Sequence, residues 1–379
     1  MSANTEQLIT SLSSQANAVS TANTGLQLLE LVLAVKEADA SNNVYAYANT
    51  LPTANSTTIG MSAYVDNDGL YINDGTQWYN LANTYVNYVN QAQGSNYGYS
   101  SAGIDNTGQE QNPIDKFSFS SDGNATDVGD ITTLRYVQAG SSSTEYGYNA
   151  GGSKGVAKYN VIDKFPFATD ANASDVADLT VARGFVTGQS SSEYGYTSGG
   201  YASGTTYNTI DKFPFATDAN ATDVGDLTLA RYQPAGQSST DYGYSSGGNI
   251  GAPTYAASNV IDKFPFSSDA DATSVGSLTV SRSGAAGQQS YDYGYTSGST
   301  TIDKFPFATD ADATDVGDLL DSRSQVAGQS SLDYGYTSGG KILSTSQNRI
   351  DKFSFATDGN ATDVGDLTVA RYGAAGQQY

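Results

Sequence analysis

The chain of 379 residues contains no cysteine and no histidine, and these two absences remove more functional classes than any motif adds. Without thiolate or imidazole there are no disulfides, no zinc sites built on sulfur or nitrogen, no iron–sulfur clusters, no imidazole-ligated haem and no Ser/His/Asp or Cys/His nucleophilic machinery. Any metal has to be held by oxygen, which means calcium or magnesium. Basic residues are scarce: 17 Lys and Arg stand against 39 Asp and Glu, a net charge of −22. The averaged field repels phosphate backbones and anionic headgroups, so nucleic acid and membrane surfaces are poor partners. The longest apolar run, near residues 26–35, is broken by Gln27 and Glu30 and falls far short of the roughly 20 residues of a spanning helix. The opening Met-Ser-Ala-Asn-Thr-Glu-Gln has no basic region ahead of an apolar one, so no Sec-type signal is expected and synthesis is placed in the cytoplasm.

What is abundant is organised. Glycine (41) and tyrosine (28) fall into a repeat: Tyr-Gly-Tyr begins at Tyr97, Tyr146, Tyr194, Tyr242, Tyr293 and Tyr334, and Ile-Asp-Lys-Phe at Ile114, Ile162, Ile210, Ile261, Ile302 and Ile350. Length varies at one place in each unit, between the small-residue pair that follows Tyr-Gly-Tyr and the Ile-Asp-Lys. The unit from Tyr232 to Arg282 reads as four strands. Strand a is Ala235-Gly236-Gln237, strand b is Tyr-Gly-Tyr running into Gly-Gly, strand c spans 261–266, and the weaker strand d spans 275–280 and leads to an Arg. Four strands in about 48 residues is the size of a propeller blade. The last residues supply a strand a with no strand b after it, and residues 95–97 begin a strand b with no strand a before it. A mainly β, six-bladed propeller over 94–379, closed by its C-terminal strand, is therefore predicted.

The pattern resembles the kelch repeat, on Gly199-Gly200, Gly247-Gly248 and Gly339-Gly340 after the aromatic strand, an Asp after the apolar residue of strand c, and Leu-Thr-x-Ala-Arg at Leu227 to Arg231 and Leu367 to Arg371. It departs from kelch in lacking the Trp after strand c and in having Ala102-Gly103 and Gly298-Ser299 in place of Gly-Gly. The resemblance implies a fold and no catalytic residue.

In such a blade the b–c loops and d–a connections share one face, and the a–b and c–d turns the other. The b–c loops, 104–113, 153–160, 201–208, 249–259, 299–301 and 341–348, vary while the frame repeats, as binding loops on a rigid scaffold do. Their Tyr159, Tyr201, Tyr207 and Tyr255 are the ligand-binding candidates, suited to the apolar faces and hydroxyls of sugars; tolerant surface loops have the same composition, and both readings stay open. On the other face Asp218, Asn220 and Asp223 recur nearly unchanged from unit to unit. Alternating carboxylate and amide oxygens resemble part of a calcium loop, so these three are the metal candidates, while turn-capping of the backbone explains them without metal. The sixfold Asp-Lys of strand c and Arg after strand d read as structural ion pairs. The Asn-Ala-Thr/Ser triplets at Asn124, Asn172, Asn220 and Asn360 read as turn chemistry. No non-repeating pair of carboxylates marks a catalytic blade, and no enzyme activity is expected.

The first quarter differs. Residues 5–19 and 26–38 predict two helices within an N-terminal segment 1–40, and the second is apolar around most of its circumference. Leu26, Leu29, Val32 and Leu33 are accordingly the candidates for self-association into a homo-oligomer, a trimer or a hexamer; docking onto the propeller is the alternative. Within a module and linker over 41–93, turns at Asp66-Asn67-Asp68-Gly69 and Asn73-Asp74-Gly75 predict a three-stranded β-meander. This segment and the wording Ile-Asp-Lys-Phe-Pro-Phe-Ala-Thr-Asp of the repeat are similar to virion and fibre proteins of tailed bacteriophages, particularly those of marine cyanobacteria. The resemblance implies a virion location, made in the host cytoplasm, with other virion proteins and a host cell-surface glycan as partners. A passive decoration module is the second expectation, and a polysaccharide-degrading propeller the third.

Overall fold

The computed structural model describes residues 94–379 and four short strands between Val44 and Asn80. The chain divides into two compact units, Met1–Asn90 and Gln91–Tyr379. In the first, strands Ser62–Val65, Gly69–Asn73 and Trp78–Asn80 form the expected meander. A fourth strand, Val44–Ala48, adds to its edge in parallel with Ser62–Val65. Parallel partners need a long connection, so no hairpin turn announces the pair in the sequence. The predicted helices, with Leu26, Leu29, Val32 and Leu33, lie outside the described residues.

The second unit is a six-bladed β-propeller. Each blade is an antiparallel sheet in the order a-b-c-d; in the fourth these strands are Ala235–Ser238, Tyr242–Ser246, Val260–Pro265 and Thr273–Ser277. The first blade takes strands b to d from Tyr97–Asp105, Glu110–Ser118 and Thr126–Asp130, and its strand a from Ala375–Gln378 at the chain's end. The six strands a pack on one another around the axis, and the ring is closed. No helix occurs among the described residues.

Some boundaries differ from expectation. Strand d of the fourth blade ends at Ser277 rather than 280, because Leu278 drops into the blade junction at 2% exposure. In the first blade most of 104–113 is strand rather than loop, and 299–301 belongs to strand Ser299–Pro306.

The core is divided among six junctions, each with its own apolar cluster. Strand c explains why. Its side chains alternate between two faces, and both faces are covered. In the fourth blade Phe264 and Phe266 pack back on Tyr196 of the third, with ring centroids 5.5 and 4.8 Å away. Ile261 faces forward, in one cluster with Phe305 of the fifth. The motif Ile-Asp-Lys-Phe-Pro-Phe thus carries both halves of a head-to-tail junction, and such an interface closes into a ring when the rotation per unit is right.

Candidate functional site

The repeated charges hold the blades together. Asp262 of strand c meets Arg231 of the preceding blade at 3.0 Å, both side chains fully buried, and takes the N–H and hydroxyl of Thr228 at 3.0 and 2.7 Å. The same Arg–Asp pair occurs at all six junctions. Burial disfavours the guanidinium's charge and pushes Arg231 below its usual range, and Asp262 opposes that shift. Lys263 reaches the other way, to Asp310 of the next blade, and lies 5.0 Å from the Tyr242 ring centroid.

Asp218, Asn220 and Asp223 are likewise placed by bonds within the ring. Asp218 pairs with Lys164 of the preceding blade at 2.6 Å, Asn220 Oδ1 accepts the Asp178 N–H at 3.0 Å, and Asp223 accepts the Gly225 N–H at 3.3 Å. Asn172, Asn360 and Asn124 repeat the Asn220 bond, so each of these triplets clips one blade to the strand d before it. Among the described residues no three carboxylates are grouped as a metal would require.

The opposite face is built differently. Where each d–a connection turns into strand a, one residue adopts a left-handed conformation: Val137, Phe185, Gln233, Gly284, Gln325 and Gly373, with φ between 54° and 67°. The N–H of each donates to the carbonyl of its counterpart in the preceding blade at 2.6–3.0 Å, making a closed ring of six backbone hydrogen bonds about the axis. Four of the six are not glycine, and one is β-branched. Such strain persists only where surroundings enforce it, and it concentrates at functional sites. One step down the axis each strand a presents a glycine, and a Cβ on Gly236 would lie 2.2 Å from the Gly188 carbonyl oxygen. Together the two rings line a small open depression of about 110 Å³ on the axis.

The face around it is asymmetric, and of its aromatic rings Phe185 lines the depression while the others stand outside it. Tyr372, Tyr136, Phe185 and Tyr232 follow one another around the axis with centroids 6.4, 6.2 and 6.0 Å apart, and Tyr201 adds to Tyr232 at 5.6 Å. On the remaining arc stand Ser283, Gly284, Ser324 and Gln325. Gln325 Oε1 there is buried without a hydrogen-bond partner, whereas the Gln138 side chain, two blades away, is turned into the first blade and donates to the Ser101 carbonyl at 2.9 Å. The b–c hairpins reach over this face, each bridging to a d–a connection: Ser153 to Tyr136, Tyr201 to Gly184 and Lys341 to Ser324. Their tips hold Val156 at 99% and Leu343 at 93% exposure.

The structure separates the four tyrosine candidates. Tyr201 joins the aromatic arc. Tyr255 stands alone on its loop at 68% exposure, without a ring contact among the described residues. Tyr159 and Tyr207 are half-buried, and their backbones bond Gly152 and Arg183, and Gly200 and Arg231. Ser258 and Gln347 make the same bonds in other blades, so that slot does not require an aromatic. Tyr136, Phe185, Tyr232 and Tyr372 were not anticipated. Their signal was present, since the one or two positions after the repeated Arg are Tyr136, Gly184-Phe185, Tyr232, Ser283, Ser324 and Tyr372, variable within a constant frame.

No protein-family model matches the chain, and no curated protein matches it.

Proposed function

We propose that the propeller is a non-catalytic saccharide-binding module whose ligand seats on the aromatic arc and axial depression of the b–c face. The observation that supports it is the arc itself: five contiguous rings beside a concave floor, faced by hydroxyl and amide groups. A concave, largely polar floor beside aromatic rings suits a ligand that has both apolar ring faces and hydroxyls, and the unpartnered Gln325 oxygen suits a hydroxyl donor. Exposed Val156 and Leu343 extend the apolar surface outward. We place this module in a virion appendage, a tail or head fibre of a tailed phage that contacts other virion proteins and a host-surface glycan. That placement rests on the resemblance of the β-meander segment and the repeat wording. Self-association as a trimer or hexamer through Leu26, Leu29, Val32 and Leu33 would raise weak single-site binding by roughly 10²–10⁴ through multivalency.

The test is Phe185→Gly, which installs at position 185 the residue found at the equivalent positions 284 and 373. Relief of a left-handed phenylalanine offsets its lost packing, so stability is expected to hold within about 1 kcal/mol. Binding to a panel of bacterial surface polysaccharides is expected to fall at least tenfold, about 1.4 kcal/mol. Unchanged binding by this variant would place the ligand elsewhere.

A further inference from the structure

The basic residues of the propeller can be counted to the last one. Residues 97–379 hold 16 Lys and Arg. Six arginines pair with the strand c aspartates, six lysines pair with the c–d turns, and Arg349 pairs with Asp321 and Asp351. The three cations without an ion pair among the described residues are Lys154, Lys158 and Lys341, and all three lie on b–c hairpins. In a domain carrying −16, unneutralised positive charge is thus confined to the face that carries the arc.

Two of the three touch the arc. Lys341 Nζ lies 4.7 Å from the Tyr372 ring centroid, and Lys158 Nζ lies 5.4 Å from that of Phe185 and donates to Ser153 Oγ at 2.9 Å. Half-burial costs the Lys158 ammonium hydration and lowers its pKa. An ammonium over an aromatic face with no carboxylate beside it is left with hydrogen-bonding capacity that an anion can fill. Of the acidic side chains on the neighbouring hairpin, Asp105 is engaged locally, while Glu110 crosses to the tip of the Lys154–Lys158 hairpin without forming an ion pair with either lysine. Glu110 accepts the Gly155 N–H at 2.9 Å, and Asp105 accepts from Thr107, Gln109 and Gln111 at 2.7–3.0 Å.

Building on the saccharide reading above, we infer that the ligand is an acidic saccharide, whose rings lie on the aromatic arc while its carboxylate or sulfate groups meet Lys158 and Lys341, with Lys154 at the approach. Direct contact is short-ranged, so the repulsive average field of the protein lowers the association rate without cancelling the local pairs.

The full chain is titrated with polymannuronate oligosaccharide, a sulfated galactan oligosaccharide and neutral dextran of matched length. Expected is a preference of about tenfold or more for an acidic probe over dextran at low salt, from two charge-assisted contacts. The preference should be lost in Lys158→Gln/Lys341→Gln and in about 0.5 M salt, where screening shortens to about 4 Å. Thermal unfolding followed by circular dichroism shows that the double variant is folded, and the preference is read as the ratio of acidic-probe to dextran affinity on the same protein. Equal affinity for dextran and the acidic probes, or a preference that survives the double variant, overturns this inference and leaves the saccharide reading standing. Failure of all three probes to bind, or binding that Phe185→Gly does not weaken, removes both.

Discussion

At the scale of single residues, the propeller is tightest at its axis. The six strand a glycines are required by distance, since a methyl group at Gly236 would overlap a carbonyl of the neighbouring blade. Gly236→Ala is expected to cost about 1–3 kcal/mol in urea denaturation, the range for overpacking. Gly123→Ala, whose Cβ meets nothing within 4 Å, is expected to stay within about 0.5 kcal/mol. Equal effects of the two would contradict the close-packed axis. Charge at the end of strand d gives a second residue-scale prediction. Asp226 is shifted upward, first by burial and then by the Asp223 and Asp271 carboxylates. A carboxyl with a folded pKa above its unfolded value contributes stability that is fully present below the unfolded pKa and lost as pH rises through the folded one. Asp226→Asn should therefore raise the melting temperature near pH 7, and the gain should vanish near pH 3, as followed by circular dichroism. The small residues of strand a, such as Ala235-Gly236-Gln237, are legible in the sequence. The aromatic arc is legible only as variable positions after the repeated Arg, because four of its rings come from separate d–a connections and Tyr201 from a b–c loop, and only the closed ring brings them side by side.

At the scale of elements, strand c is the unit that specifies assembly. The recurrence of its Asp and Lys marked them as structural, yet their partners were hidden: the Asp pairs backward with the previous unit's Arg, the Lys forward with the next unit's turn. A one-dimensional pattern states the residue types and leaves the direction of pairing to strand alternation. The junction between the fifth and sixth blades shows how the element tolerates change. Leu320 stands where Thr228 and its counterparts donate to the strand c carboxylate, so Asp351 lacks that bond. Arg349 replaces it, donating from Nε to Asp351 Oδ1 at 2.7 Å while also pairing with Asp321 at 2.7 Å. Burial pushes the Asp351 carboxyl upward, and Arg323 and Arg349 oppose this. Arg349→Val alone should leave a buried carboxylate oxygen unsatisfied, at a cost of about 1–3 kcal/mol. Adding Leu320→Thr should recover most of that loss by restoring the arrangement of the other junctions. A double variant no more stable than Arg349→Val, measured by chemical denaturation, would show that the two side chains are not exchangeable.

At the scale of the molecule, six similar junctions closed head to tail make the last one equivalent to the others, although its strands are about 270 residues apart in the chain. Gln377 of the closing strand reaches Tyr148 and Asn149 of the second blade, Arg371 meets Asp115 of the first, and Tyr379 stacks on Phe167 at 5.3 Å. An open ring would lose these contacts and would expose strand b of the first blade as an unpaired edge, the condition that favours aggregation. Each blade's apolar surface is buried only by its neighbours, so cooperativity depends on closure. A chain ending at Tyr372 should therefore unfold at a markedly lower temperature, over a broader range, and aggregate on heating. A peptide of residues 373–379 added in excess should bind the vacated edge and restore a sharp transition, with a melting temperature that rises with peptide concentration as linkage requires. Full-chain stability in the truncated protein, or no response to the peptide, would mean that five junctions hold the fold without the sixth.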